Sequence, residues 1–350
     1  MLRQRKQTVV VISVIVMASI IVFCFWARIR APLFTIEAHP LYVAALEYSP
    51  DGQWLLSAGT IDQSVKLWDT HTGNLAHFIT LEAGVTCAAF TPDSRAVVIG
   101  HKGHDVLLWD LQQFSSRNLL RHPDDGVSSL AISRDGAKLA SGGCRGTIAL
   151  YDLKSTLPVQ TRTVGSTEVR SLAFRPNGGQ LVAGTGDGRV LLISLRDEQL
   201  QEPLLVAKFS TPVQSVVISP NGDLLAIAGG TVDLGFLRVF DMVSLTQLWT
   251  ADEQTCTSGI FSLDFSPTNA LLAYGSVHDY PTIRLVNAEE SSCVTAISSA
   301  FYVGHHTGIT CVCFNPSGTL LASGDISGRV CVWTLPRDED TVWPQYSAQP

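Results

Sequence analysis

The 350-residue chain is 46% hydrophobic and 16% charged, enough for one large domain or two ordinary ones. Its net charge of −7 conceals an asymmetry: residues 1–32 hold Arg3, Arg5, Lys6, Arg28 and Arg30 with no acidic residue, while the remainder carries 19 basic against 31 acidic residues. That balance argues against nucleic acid as a partner, because binding a phosphate backbone needs a basic footprint.

The first element in chain order is Thr8–Ala27, twenty residues without a charge, the span that crosses a bilayer as a helix. Two readings compete, an uncleaved signal-anchor and a cleaved signal peptide. A cleaved peptide has a shorter apolar core and a small-x-small cleavage site, whereas here bulky Phe23, Phe25 and Trp26 precede Arg28, which favours the anchor. Arg3, Arg5, Lys6 and the amino terminus outnumber Arg28 and Arg30, which favours a cytoplasmic stub and places the bulk of the chain on the extracytoplasmic side. Against this stand seven further cysteines, Cys87, Cys144, Cys256, Cys293, Cys311, Cys313 and Cys331, an odd number without a disulfide-framework spacing.

Residues 33–38 read as a strand, and Tyr48–Asp69 supplies the template for the rest of the chain. It contains a turn at Ser49-Pro50-Asp51-Gly52, a strand at Trp54–Ala58, a polar hairpin at Thr60–Ser64 and a strand ending Trp68-Asp69. Proline presets φ for the turn and glycine accepts positive φ. The turn recurs at Phe90–Ser94, Ile132–Gly136, Phe174–Gly178, Ile218–Gly222, Phe265–Asn269 and Phe314–Gly318, at spacings of 42, 42, 42, 44, 47 and 49 residues. Strand ends similar to Trp68-Asp69 follow each copy, from Trp109-Asp110 to Trp333-Thr334. Three strands in 22 residues bury no core alone, so the copies must stack. Extra residues fall at 231–236 and 276–282, in hairpins, and at 288–303, read as a link between the sixth and seventh copies. The polar tail 336–350 is expected to be poorly ordered.

These seven turns in register resemble the WD-repeat family of β-propellers, with a period of about 40 to 45 residues and four strands per blade. The resemblance implies an all-β, seven-bladed propeller over 33–335, and the charge-free run places one N-terminal transmembrane helix before it, within residues 1–30. The resemblance also implies that 33–38 pair with the last blade and close the ring, which removes two exposed strand edges.

The family's structural tetrad is a His before the first strand, a Ser or Thr on the second, an Asp in the hairpin and the Trp. Carried over, the first repeat matches with His39, Ser57, Asp62 and Trp68. The seventh keeps His305, Ser323 and Trp333 but has Ser327 at the Asp position, and the third has His122, Ser141 and Tyr151 with Arg145 there. The fourth keeps Asp187 and lacks the His and Trp. A Ser/His/Asp grouping invites a hydrolase triad, but one that recurs blade by blade is structural, so no catalytic residue is assigned.

The histidine clusters His101/His104, His278-Asp279 and His305/His306 lack the spacing of a zinc site, so neither a metal nor another cofactor is expected. Gly184–Gly188 resembles a fragment of a phosphate loop, but no helix follows to hold the anion.

The resemblance places partner-contacting side chains in two rings around the top of the axis. The first ring is Ala44, Thr86, Ser128, Arg170, Gln214, Phe261 and Thr310, and the second is Ile61, Lys102, Cys144, Gly186, Asp233, Asp279 and Ile326. The informative set is Lys102, Arg170, Gln214, Asp233, Phe261 and Asp279, with Tyr42 nearby. The expected function is a non-enzymatic, membrane-tethered scaffold that binds protein or peptide partners on this face. The alternative is an extracytoplasmic propeller enzyme, a hydrolase or dehydrogenase using the central channel. A subunit of a larger membrane complex is a third reading, which the sequence does not separate from the first.

Overall fold

The computed structural model describes residues 31–153, 158–197, 199–251, 258–268, 270–277, 282–290, 292–298 and 304–335. The apolar run at 8–27, the tail at 336–350 and the candidate Asp279 lie outside them. Among the described residues no helix is long and apolar enough to cross a membrane. Seven antiparallel sheets form a closed all-β propeller, each sheet one blade. Their innermost strands are Val43–Tyr48, Val85–Phe90, Val127–Ile132, Val169–Phe174, Val213–Ile218, Ile260–Phe265 and Ile309–Phe314. Each packs beside the next, and the last packs beside the first, so they line one axial channel.

The ring closes through Phe34–Glu37, which pairs antiparallel with Arg329–Thr334, placing Phe34 opposite Val332 and Glu37 opposite Arg329. Arg329 reinforces the seam by donating from Nε to Glu37 Oε1 at 2.9 Å. The buried apolar side chains fall into seven clusters, each shared between two adjacent blades. The seam cluster unites Ile36, Val330 and Val332 with Val43, Tyr48 and Trp68. The core is therefore a ring of interfaces, which explains why one repeat could not fold by itself.

Adjacent blades do not share a strand ladder, and side chains bridge the gap. Thr86 Oγ1 donates to the Val127 carbonyl at 2.6 Å, Ser128 Oγ to Val169 at 2.9 Å, and Thr310 Oγ1 to Val43 at 2.7 Å. Ser171, Ser215 and Ser262 accept from the backbone N–H of Val216, Leu263 and Val312 in the following blade. The remaining junction, from the first blade to the second, is crossed by Glu47 Oε2, which accepts from Phe90 N at 3.0 Å. All seven junctions thus carry a side-chain bridge.

Two sequence expectations need correction. The extra residues at 231–236 lengthen the paired strands Leu224–Thr231 and Leu234–Asp241 instead of forming a loop. The stretch 288–303 is more than a link, because Ser292–Ser298 is the fourth strand of the sixth blade. In the fourth blade the outer strand is split into Gln199–Leu200 and Leu204–Lys208. Pro203 lies at the break, where it has no N–H to donate to a ladder.

Candidate functional site

Each inner strand begins with an irregularity of the same kind. The register against the second strand shifts between Val43 and Ala45, Val85 and Cys87, Val127 and Ser129, Val169 and Ser171, Val213 and Ser215, Ile260 and Ser262, and Ile309 and Cys311. The skipped residues are Ala44, Thr86, Ser128, Arg170, Gln214, Phe261 and Thr310, which is the whole first ring inferred from the sequence. A bulge leaves its extra residue out of the ladder and re-aims its side chain. The fold therefore uses a repeated defect to turn one residue per blade away from regular pairing, at the mouth of the channel.

Two of these bulge residues meet. Arg170 Nη1 donates to Gln214 Oε1 at 2.7 Å, linking the fourth and fifth blades, and Arg170 Nε stands 3.2 Å from Glu168 Oε2. That second geometry is an ion pair without hydrogen-bond alignment, since Arg170 Nε is buried with no hydrogen-bond partner. Gln214 Nε2 in turn donates to the Gly230 carbonyl at 3.4 Å. Tyr42 enters from the first blade with φ +48, a left-handed conformation that a bulky residue adopts at a cost in strain. Burial pushes its phenol up to about 12, helped by Cys311 and Glu168 and opposed by Arg170, so Tyr42 remains a neutral hydroxyl within electrostatic reach of the Glu168–Arg170 pair.

The other expected residues divide. Phe261 is half-buried on the strand Ile260–Phe265, in the channel wall, and not on a loop lip. Lys102 is exposed, its N–H anchored to the Gly84 carbonyl at 3.0 Å. Asp233 occupies the tip of the long hairpin between exposed Val232 and Leu234. Sequence reasoning missed Glu168. Its signal was positional: residues 42, 84, 126 and 168 share the 42-residue register just before the inner strands, and only Tyr42 and Glu168 are not glycine among them.

The tetrads have the expected arrangement in the first blade. His39 Nδ1 donates to Asp62 Oδ2 at 2.8 Å, Trp68 Nε1 donates to Ser57 Oγ at 2.9 Å, and Ser57 Oγ lies 2.9 Å from His39 Nε2. With the serine oxygen already accepting from Trp68, its proton points to His39 Nε2. Burial lowers the His39 pKa although Asp62 opposes the shift, so the ring is neutral with its proton on Nδ1. In the seventh blade His305 Nδ1 lies 2.8 Å from Asp325 Oδ2, His305 Nε2 lies 2.6 Å from Ser323 Oγ, and Trp333 Nε1 donates to Ser323 at 2.8 Å. The missing carboxylate is therefore not missing: Asp325, two residues before Ser327, fills the place, and Ser327 Oγ donates to it at 2.7 Å.

The third blade makes a similar substitution. Asp124 accepts from the backbone N–H of Arg145 and Thr147, each at 3.1 Å, and a Cβ on Gly143 would collide with Asp124 and His122. A Cβ on Gly59 would collide with Asp62 and His39 in the same way, so Asp124 holds the position of the hairpin aspartate that Arg145 does not supply. In the fourth blade Asp187 accepts from Thr185 Oγ1 at 2.6 Å and Arg189 Nε at 2.8 Å. Burial alone would raise its carboxyl, but Thr185 and the cations Arg189 and Lys208 bring it down to about 2.

These groupings leave little for catalysis. Ser57 and Ser323 are fully buried and already accept from tryptophan, so no substrate reaches either oxygen. Among the described residues no group of three or more His, Cys, Asp or Glu is placed to hold a metal ion. His101 accepts from the Gly103 N–H, and His104 Nδ1 donates to the Asp124 carbonyl.

Comparison with known proteins agrees with the geometry. A "WD repeat-containing protein SL1-17" from Schistosoma mansoni is 30% identical over 174 residues, covering 49% of this chain and 57% of that protein. "Autophagy-related protein 16" from Arabidopsis thaliana is 24% identical over 303 residues, 85% of this chain and 57% of that protein. "Guanine nucleotide-binding protein subunit beta-5b" from Danio rerio is 24% identical over 308 residues, 85% of this chain and 75% of that protein. The chain thus spans little more than half the length of the first two relatives. The pattern of the WD40 family, "WD domain, G-beta repeat", matches residues 30–69, 73–110, 114–152, 158–194 and 292–334, together more than half of the sequence. With those five matched repeats and seven blades closed by the N-terminal strand, the chain is a member of the WD40 repeat family.

Proposed function

We propose that the protein is a non-enzymatic platform that receives a protein or peptide partner at the top mouth of the channel. The observation that carries this reading is the Tyr42–Glu168–Arg170–Gln214 cluster, built from a strained tyrosine, an ion pair and two consecutive bulges at one rim. Gln214 and Glu168 hold the Arg170 guanidinium in place at the rim, fixing a cation that an incoming carboxylate or carbonyl would recognise. Rigid strands hold these groups, so binding them forfeits little side-chain freedom. The printed name of the Danio rerio relative marks that protein as a subunit of an assembly, which supports the same class of role here. We further propose that residues 8–27 tether the propeller to a membrane with the propeller on the extracytoplasmic side, supported by the charge-free length of that run and the cations before it.

The test is a membrane pull-down with wild type beside Arg170→Ala/Phe261→Ala. Specific partners should be captured at least about tenfold less well by the double variant, as expected for truncated interface anchors. Equal capture by both would overturn the top-face reading.

A further inference from the structure

One level above the lower end of the inner strands, the seven blades present Glu47, Ala89, Ala131, Ala173, Val217, Asp264 and Cys313. Four of the seven are satisfied with alanine or valine, so the fold itself does not call for an acid there. Two blades nevertheless carry one. The alanines leave room, and the lower channel holds a cavity of about 560 Å³ walled by the inner strands of the first four blades. Phe90, Leu130, Leu172 and Phe174 make its sides apolar, and Glu47 is the one carboxyl in its lining. The volume falls within the range of about 300–1,000 Å³ typical of small-molecule pockets.

We infer that this cavity is a binding site for a small organic cation, a protonated amine carried on an apolar body, with Glu47 as its counter-ion.

The assignment rests on what Glu47 lacks. Its Oε2 accepts from Phe90 N, and among the described residues no basic side chain pairs with it. Asp264, two blades away, is held in the same manner, with Oδ2 accepting from Phe314 N at 2.7 Å. Burial together with the neighbouring Asp264 pushes the Glu47 carboxyl up to about 8, and burial pushes Asp264 up to about 7. The Cys313 thiol between them is pushed well above its ordinary value by burial and by both acids, so it stays neutral and adds no charge. Arg134 is the single basic residue in the wall, and it is exposed at the rim, free to turn to solvent. The cavity thus offers apolar contact from Phe90, Leu130, Leu172 and Phe174 beside one acid without a basic partner. A neutral apolar molecule would use only the first feature, and an organic anion would find no buried cation among the described lining residues to pair with. An ammonium group on a short apolar chain uses both, since its charge favours the ionised carboxylate. Glu47 then releases its proton to the solvent as the ion pair forms.

The experiment is isothermal titration of the purified full-length chain with hexylammonium chloride at pH 7, in two buffers of different ionisation enthalpy. Hexylammonium should bind with a buffer-dependent heat that reports the released proton, and more tightly as pH rises towards about 8, where Glu47 is half-ionised before any ligand binds. Hexanol, of the same length without the charge, should bind at least about tenfold more weakly. Glu47→Gln should weaken hexylammonium at least about tenfold and abolish the buffer dependence. Ala131→Phe, which fills the chamber and leaves Glu47 in place, should remove binding while native elution and circular dichroism are retained. If Ala131→Phe does not fold, Glu47→Gln decides alone. The inference is overturned if hexanol binds as well as hexylammonium, if Glu47→Gln binds as the wild type does, or if the wild type binds nothing at about 10 mM.

Discussion

Ser57 shows how much one small residue can carry. Its oxygen accepts from Trp68 and its proton satisfies His39, which itself donates to Asp62. Ser57→Ala would leave the buried tryptophan N–H and a histidine nitrogen without partners, a loss of about 1–3 kcal/mol in urea unfolding. Ser323→Ala should lose a comparable amount, because Asp325 completes the same set in the seventh blade. A change below about 0.5 kcal/mol in both would show that the tetrads are ornamental. Carboxylates at this scale pull in opposite directions with pH. Although burial alone would raise it, hydrogen bonding from His39 and Ser64 holds Asp62 below its ordinary value. Its contribution is therefore present above the unfolded value near 3.9 and is lost as pH falls through the folded one. Glu47 and Asp264 are raised, so the folded state holds protons there that the unfolded state gives up near 4.3 and 3.9. Their contribution is full at or below about pH 4 and declines as pH rises to about 7 to 8. The melting temperature should accordingly be higher near pH 5.5 than near pH 8.5, and that difference should shrink in Glu47→Gln/Asp264→Asn. An unchanged difference would sink the assignment of these two acids.

At the level of the element, the strands were readable where the signal is short-range. Proline-aspartate-glycine turns and alternating apolar residues are local chemistry, and the seven turns marked the seven blades. The first ring, carried over from the family resemblance, coincides with the bulge in every blade. What escaped was whatever depends on the neighbouring chain. Asp325 and Asp124 sit at unexpected sequence positions, yet each reaches the space beside its histidine. The hydroxyls of Ser171, Ser215 and Ser262 looked like ordinary strand residues until the next blade supplied their partners. Glu168 was overlooked because a charged residue in a connection is usually just solvated. Ile36 is buried in the seam against Val330 and Val332, so Ile36→Asp places an unpaired charge there and bares the edge of Arg329–Thr334. A melting temperature lower by about 5 °C or more is expected, with soluble aggregates on size-exclusion chromatography. A monodisperse, equally stable variant would show that the seam does not hold the ring.

For the molecule as a whole, the two ends of the channel are chemically unlike. The top mouth is crowded by Tyr42, Glu168, Arg170 and Gln214, while the lower end holds a cavity between the first four blades with Glu47 in its wall. A partner at one end and a small ligand at the other would share a single stack of inner strands. The proposed tether through residues 8–27 leaves the propeller open to protease from one side of the membrane. In sealed membrane vesicles that keep the cytoplasmic side inward, added protease should cut the propeller without lysis. Digestion seen only after detergent would refute the outward placement.

Ring closure through Phe34–Glu37 also sets a schedule for synthesis. That strand emerges from the ribosome almost 300 residues before its partner Arg329–Thr334. At about 5–20 residues per second it waits roughly 15–60 s with its pairing edge unoccupied. Throughout that interval the growing chain is an open arc with two unsatisfied ends, and only translation of the final blade turns it into a circle. A circular permutant whose closing strand directly follows the seventh blade would remove the wait, converting a pairing across almost 300 residues into a local hairpin.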